Sequence, residues 1–475
     1  MNLKLKYIVF VFLLFCLNTI QAQRNYKFEN FGNRSILLNG NVTGSVDDLG
    51  ATFYNPARLA LIEDPVFSIN AKIYQLTELK VDNITIDGKD VSTSDFDGVP
   101  SMVAGTFKLK FLEGHQFAYA LFSRNRSDFS LNYNTDLIIG ENEVNPIPLN
   151  YVGNTSITNK LREYWYGVSW ARTIAPNLSV GASLFFSTYN FNGALIQQYN
   201  SIDENDQVSI YNFNSSFKQK SNGFFGKIAA AWVLPKVELG LNIDLPYLEI
   251  SGDGKYKYEE YFSSIENDNI FTFNDFKNLN SKRKYPLGVN MGVGIPIKKH
   301  KLHLNVSWNA KTKLYDKIDI PELESETEED LPTVFFEEEL KSTINFGLGA
   351  EVYISEKVNA YGSFSTDFSP FATSASIFDS ANQSGENINL ETNYSHYGFG
   401  INVSHKWANF ILGSVYSRGN SRIAKPLTAP GNSSNFEDET SSIFINRWRF
   451  LVGIEVLFLD KAMSKHGIDK KIIIQ

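Results

Sequence analysis

Apolar residues recur along this chain at every second position, and seldom at helical spacing. The clearest run lies near the end, where Trp448, Phe450, Val452, Ile454, Val456 and Phe458 alternate with Arg447, Arg449, Gly453 and Glu455. Alternation of this kind predicts a strand with one apolar and one polar face. Five further runs repeat it. Leu239, Leu241 and Ile243 oppose Glu238, Gly240, Asn242 and Asp244; Val289, Met291 and Val293 oppose Gly288, Asn290, Gly292 and Gly294. Leu302, Leu304, Val306 and Trp308 oppose His303, Asn305, Ser307 and Asn309. Phe346, Leu348 and Val352 oppose Asn345, Gly347, Gly349 and Glu351, and Tyr397, Phe399 and Ile401 oppose His396, Gly398, Gly400 and Asn402. After residue 22 no apolar run approaches the ~20 residues that a membrane helix needs.

The connections decide what the strands build. Six are tight: Leu112–Gly114, Ala175–Asn177, Leu234–Lys236, Lys298–His300, Ser355–Lys357 and Lys406–Ala408. Between them lie seven longer polar stretches, at about 77–99, 134–156, 200–209, 259–280, 319–337, 372–391 and 426–443. Strict alternation of short and long connections is the pattern of an outer-membrane barrel, with short periplasmic turns and long external loops. A sandwich has no reason to gather its long loops at one end. The expected fold is therefore all-β: a transmembrane antiparallel β-barrel of about fourteen strands, apolar faces toward lipid and polar faces toward the lumen.

Composition agrees. Phe and Tyr number 37 and 23 against four Met, and mean hydropathy is slightly negative, as expected when half of each strand faces water. Residues 1–22 read as a signal peptide: Lys4 and Lys6, an apolar run over Tyr7–Leu17, and cleavage after Ala22. The sole cysteine, Cys16, lies inside it, so the exported chain is expected to carry neither thiol nor disulfide, consistent with a Gram-negative envelope. Without Lys4 and Lys6 the chain has 42 basic and 52 acidic residues. No basic stripe suggests nucleic acid, and no spacing suggests a cofactor, a metal or a catalytic nucleophile. Residues 459–475 form a basic tail, read as a periplasmic extension.

Ahead of the first strand stands Ser45–Leu61, SVDDLGATFYNPARLAL. Asn-Pro marks an extended or turning backbone, and Asn55 or Thr52 is placed to cap a short helix with Pro56 at its first position. On Asn55, Pro56 and Ala57, with their acidic lead-in and their place before the barrel, the chain resembles the long-chain fatty acid transporter (FadL-like) family of outer-membrane proteins. Arg58 departs from the Pro-Ala-Gly usual there. The resemblance implies an N-terminal hatch, here Gln23–Asp64, plugging a barrel at 65–458. It implies passive uptake of long-chain fatty acids or similar hydrophobic compounds across the outer-membrane lipid. Capture by external loops would precede holding in the lumen, and hatch movement or a lateral opening in a kinked third strand would release the ligand. The rival reading within the same family is a barrel that docks secretion or envelope proteins.

Candidate residues follow. For a ligand headgroup, charge-assisted hydrogen bonds point to Lys108, Lys110, Arg124, Arg126, Arg447 and Arg449. For an external apolar site the stretch 259–280 offers Phe262, Ile265, Ile270, Phe271, Phe273 and Phe276. In the third strand Ser123 and Asn125 take lipid-facing places after Phe117, Tyr119 and Leu121, which marks them as candidates for a lateral opening.

Overall fold

The computed structural model describes residues 29–62, 66–82, 90–109, 111–139, 150–202, 206–263, 269–325, 327, 331, 333–371, 392–424 and 440–457. The signal peptide, Lys110, Ile265, Phe458 and the tail lie outside these.

Among the described residues eighteen strands follow one another: β1 (Val66–Asp82), β2 (Val91–Phe107), β3 (His115–Ile139), β4 (Asn150–Ala175), β5 (Leu178–Ile202), β6 (Val208–Leu234), β7 (Val237–Asp244), β8 (Leu248–Ser263), β9 (Ile270–Leu279), β10 (Gly288–Ile297), β11 (His300–Asn309), β12 (Thr312–Ile318), β13 (Phe336–Leu340), β14 (Thr343–Ser355), β15 (Val358–Asp367), β16 (Asn393–Ser404), β17 (Ala408–Ala424) and β18 (Thr440–Leu457). Fourteen of them close an antiparallel barrel in the order β1 to β7, β10, β11, β14 to β18, sealed where β18 pairs with β1. Closure satisfies the backbone in lipid, where an open edge would be costly.

All six tight connections fall where expected, at the end of the barrel where β1 begins and β18 stops. The six alternating runs also face as expected: Trp448, Phe450, Leu348, Phe399 and Leu304 are exposed outward, while Arg449, Asn345, His303 and His396 are buried inward. On β6 the outer face runs Trp232, Ile228, Phe224 and then Asn222, Lys220 and Lys218 as it rises from the turn. An apolar band about ten residues tall is what a tilted membrane strand needs.

Above that band the wall continues. Strands β3 to β6 run 25, 26, 25 and 27 residues, so 134–139 and 150–156 are strand, and the rest of the stretch expected as a loop lies outside the described residues. The stretch 259–280, expected as a loop, belongs to the β8–β9 hairpin, which extends the sheet along the upper half of β6. A second hairpin, β12–β13, packs Ile318 and Phe336 with Phe191, Phe213 and Phe217 from the inner faces of β5 and β6. Lys317 is buried there, 5.0 Å from the Phe191 ring and 3.3 Å from Glu338. Burial pushes the nearby Tyr256 phenol up to about 12, so it stays neutral beside Ser215.

Candidate functional site

Glu29–Ile62 lies inside the barrel. It forms two single-turn helices, α1 (Arg34–Leu37) and α2 (Ala51–Tyr54), and a 3-10 turn over Pro56–Leu61. Asp48 ties the first half together, its carboxylate accepting from Ser35 N and Oγ and from Gly50 N at 2.8–2.9 Å. Asn55 ties the second half: Oδ1 accepts from Ala57 N at 3.1 Å, capping the turn, while Nδ2 donates to Thr43 O at 2.7 Å and Ala230 O at 3.2 Å. One side chain thereby joins the segment to itself and to β6. Ala57 packs on Ala229 and Ala231, where only a small side chain fits.

The barrel wall is cut to receive this segment. A Cβ on Gly292 would overlap the Gly44 backbone, one on Gly240 the Thr43 carbonyl, and one on Gly347 the Asn41 side chain. The alternating glycines of the inner faces are thus contact positions. Polar ties complete the seat. Asn41 Nδ2 donates to Leu348 O and Phe364 O at 3.3 and 3.0 Å, and Ser45 Oγ meets His303 Nδ1 at 2.7 Å. Arg58 pairs with Glu238 at 2.9 Å and donates to Val46 O and Gly44 O. Glu29 sits 3.6 Å from Arg449.

Between the segment and the wall is a cavity of about 60 Å³. Phe53, Trp165, Phe225 and Tyr285 line one side, with Arg124 5.3 Å over the Phe53 ring and Lys227 4.3 Å from it. Asparagines line the other. A dry cavity that takes benzene measures ~150 Å³, so this state is closed to a single aromatic ring.

One seam interrupts the wall. β2 and β3 pair only over Met102–Phe107 and Phe117–Phe122, although both strands continue upward. Pro100 stands just above the last pair. It has no N–H to give a ladder, and proline in a sheet is confined to such edges. On β3 the register with β4 slips between Ser123 and Asn125, leaving Arg124 as an extra residue. That bulge re-aims the strand.

No protein-family model matches the chain, and no curated protein resembles it at a significant level. Solved structures do. The Pseudomonas putida toluene transporter TodX superposes with a TM-score of 0.54 at 12% identity, over 90% of this chain and 99% of that one. A Pseudomonas aeruginosa FadL homologue gives 0.52 at 10% identity over 92% and 99%, and the Ralstonia pickettii toluene transporter TbuX gives 0.50 at 12% over 90% and 99%. The chain has the FadL-type fold.

In this FadL-type barrel Asn55, Pro56 and Ala57 hold the turn just described. The six headgroup candidates divide. Arg124, Arg447 and Arg449 are buried in the lumen: Arg447 donates to Thr77 at 2.9 Å and Arg449 donates to Ser417 at 3.2 Å beside Glu29. Lys108 is instead exposed at the short-turn end. Arg126 is carried to the outer face, because the bulge reverses which residues point inward; its register partner is Arg162, which pairs with Asp128 at 2.6 Å. The same reversal turns Asn125 inward onto Glu163, so it does not meet lipid, and leaves Ser123 buried.

The external apolar candidates are split by the hairpin. Phe271 and Phe273 are exposed on one face of β9, whereas Phe276 packs toward the aromatic cluster of β5 and β6, and Phe262 pairs with Ile270 across the hairpin. They do not form one patch. The alternation that would have revealed this was obscured by the intervening acids and asparagines.

Sequence reasoning missed Arg58, Asn41, Pro100 and the glycine contacts, each defined by a partner distant in sequence. It also missed two Ser–His contacts. His396 Nδ1 lies 2.7 Å from Ser417 Oγ, with Asp367 3.6 Å from Nε2. All three are fully enclosed and lie outside the cavity lining, which leaves no space there for a substrate.

Replacing Asn55 with Ala removes the cap and strands the buried Ala57 N–H and Thr43 carbonyl. At about 1–3 kcal/mol for each unmet group, the expected result is a loosened segment in an intact barrel. Hydrogen exchange should report faster opening of Glu29–Ile62 with the strands unchanged; equal protection in N55A refutes it.

Proposed function

We propose that this protein is a passive outer-membrane channel for hydrophobic small molecules, gated by Glu29–Ile62 acting as a hatch. The observation that carries the reading is a segment seated by glycine contacts and hydrogen bonds, on a wall of FadL-type fold, over a closed cavity. Although continuous with β1, the segment is seated in the lumen by a finite set of non-covalent contacts and can be displaced. Transporters of the same fold are described as carrying toluene, which supports a hydrophobic substrate. Long-chain fatty acids belong to the same class, with Arg124, Arg447 and Arg449 as the buried basic groups of the lumen that a carboxylate would meet in exchange for their present partners. The secretion-docking reading draws no support from these relatives.

The physical logic is partition. An apolar solute crosses the polar outer leaflet poorly, yet gains free energy on reaching hydrocarbon. A protected path past the hairpin β12–β13 into the lumen, with exit at the β2–β3 seam or past the withdrawn hatch, lets that gradient drive transfer without a cofactor.

Hatch movement is tested by fastening it. A Cβ on Gly349 lies 3.7 Å from Leu38 Cβ, inside the ~3.5–4.5 Å range for a disulfide. Leu38→Cys with Gly349→Cys should, when oxidised, abolish cellular uptake of radiolabelled toluene and oleate, and reductant should restore it. Full uptake through the oxidised protein would show that the hatch need not move.

A further inference from the structure

Outside the lumen, the wall carries a charge pattern of its own. Leu121, Tyr166, Phe186, Phe224 and Leu248 stand side by side on β3, β4, β5, β6 and β8, in one register row of the outer face. The row above it, Ser123, Tyr164, Thr188, Asn222 and Ser251, is largely polar. The next two rows are basic. Arg126, Arg162, Asn190, Lys220 and Asp253 form the first; Asp128, Lys160, Asn192, Lys218 and Lys255 form the second. Six cations meet two carboxylates there, in a chain whose acids outnumber its bases by 52 to 44.

Placement within the rows is more telling than their number. Arg126 lies directly opposite Arg162, and Lys218 directly opposite Lys255. Like charges facing one another across a ladder destabilise it, and two such pairs on one face call for an anion from outside the chain. Asp128 answers part of the charge, at 2.6 Å from Arg162 and 3.8 Å from Lys160. Among the described residues Lys218, Lys220 and Lys255 form no ion pair, although Asp253 stands opposite Lys220. Higher on β8 and β9 the charges close on themselves: Lys257 pairs with Glu259 at 2.5 Å and Lys277 with Asp275 at 2.7 Å.

Position narrows the ligand. A lipid whose acyl chains lie against Phe186, Phe224 and Leu248 carries its headgroup past the polar row and into the basic ones. Guanidinium forks and ammonium groups suit phosphate oxygens, and basic groups beside a lipid surface draw anionic headgroups to it. Across the barrel, the first row above the apolar band joins Arg418, Asn446 and Glu78, one cation to one carboxylate. The attraction is therefore one-sided.

We propose that the outer face of β3 to β6 and β8 is a docking site for phosphorylated lipid of the outer leaflet. The two like-charge pairs stand three strand spacings apart, about 14 Å along the row, so each seats a phosphate of its own, from a bis-phosphorylated headgroup or from two neighbouring lipids. The inference rests on the barrel lying in the outer membrane and not on what its lumen carries. Because Arg126 stands on β3, lipid held there borders the β2–β3 seam.

The purified full-length barrel in detergent, titrated with bis-phosphorylated lipid A in mixed micelles and followed by thermophoresis, should bind it at least tenfold more tightly than phosphatidylcholine. Lys218→Gln with Lys220→Gln and Lys255→Gln should weaken lipid A at least tenfold. Lys236→Gln with Lys299→Gln and Lys357→Gln, exposed lysines at the short-turn end, should change it less than twofold. Equal binding of the two lipids by the unmodified protein overturns the inference, and with toluene uptake by cells intact it leaves the channel reading standing. Equal losses in the two triple variants reduce the effect to net charge and overturn the assignment to this face. Displacement of lipid A by inorganic phosphate at matched ionic strength marks a free-anion site and overturns the lipid as its source. The comparison of the two lipids uses the unmodified chain, so it decides the question even where a variant does not fold.

Discussion

Gly292→Val should turn the closed barrel into an open pore. The glycine lies against Thr43 and Gly44, so a Cβ there collides with their main chain and no rotamer change relieves it. Overpacking a filled site costs about 1–3 kcal/mol, and more where backbone must move. Two elements can yield: a membrane strand paired on both sides, or a segment held by side-chain contacts. The segment is the weaker. Planar-bilayer recordings should show stepwise conductance for G292V where the native barrel is silent, and cells carrying it should become sensitive to vancomycin. Gly362→Val is the matched control, because nothing lies within 4 Å of a Cβ at that position. A folded G292V barrel as tight as the native one would place the permeability barrier elsewhere, with the β12–β13 hairpin the next candidate.

Deleting Arg124 should close the seam and slow exit. The extra residue interrupts the β3–β4 register between Ser123 and Asn125, and the β2–β3 ladder has already ended at Phe122. Without it, β3 runs straight from Ser123 opposite Tyr164 to Asn125 opposite Glu163, and β2 gains a regular edge to pair with. Uptake of radiolabelled toluene is expected to fall at least tenfold with barrel folding unchanged. Arg124→Ala keeps the bulge while removing the guanidinium from Phe53 and Trp165, so it separates backbone from side chain. Equal losses in both variants would attribute the effect to the cation and discard the seam as an exit.

These expectations draw on different amounts of sequence information. Side-chain alternation is a local property, and it carried a long way: six strand runs faced as their pattern indicated, and six tight turns fell at one end. The disturbance at Ser123 and Asn125 was visible too, but its meaning was not. One inserted residue exchanges the two faces of everything beyond it, and sequence alone does not say which residue is the extra one. For that reason Asn125 and Arg126 occupy the faces opposite to those their sequence positions predict. The β8–β9 hairpin reads as a loop in the sequence because strands standing above the membrane need no apolar outer face.

The amino-acid order by itself determined the closed antiparallel wall, its membrane band and the position of the Asn55-Pro56-Ala57 turn ahead of it, since each depends on residues a few places apart. Only the tertiary structure decided what fills the wall. The hydrogen bond from Asn41 to Leu348 spans 307 positions, and the row Asn242, Asn290, Ser307 and Asn345 is aligned only by the register of four neighbouring strands. A glycine or an asparagine on an inner face is chemically the same in every barrel; what it touches is set by the chain threaded past it.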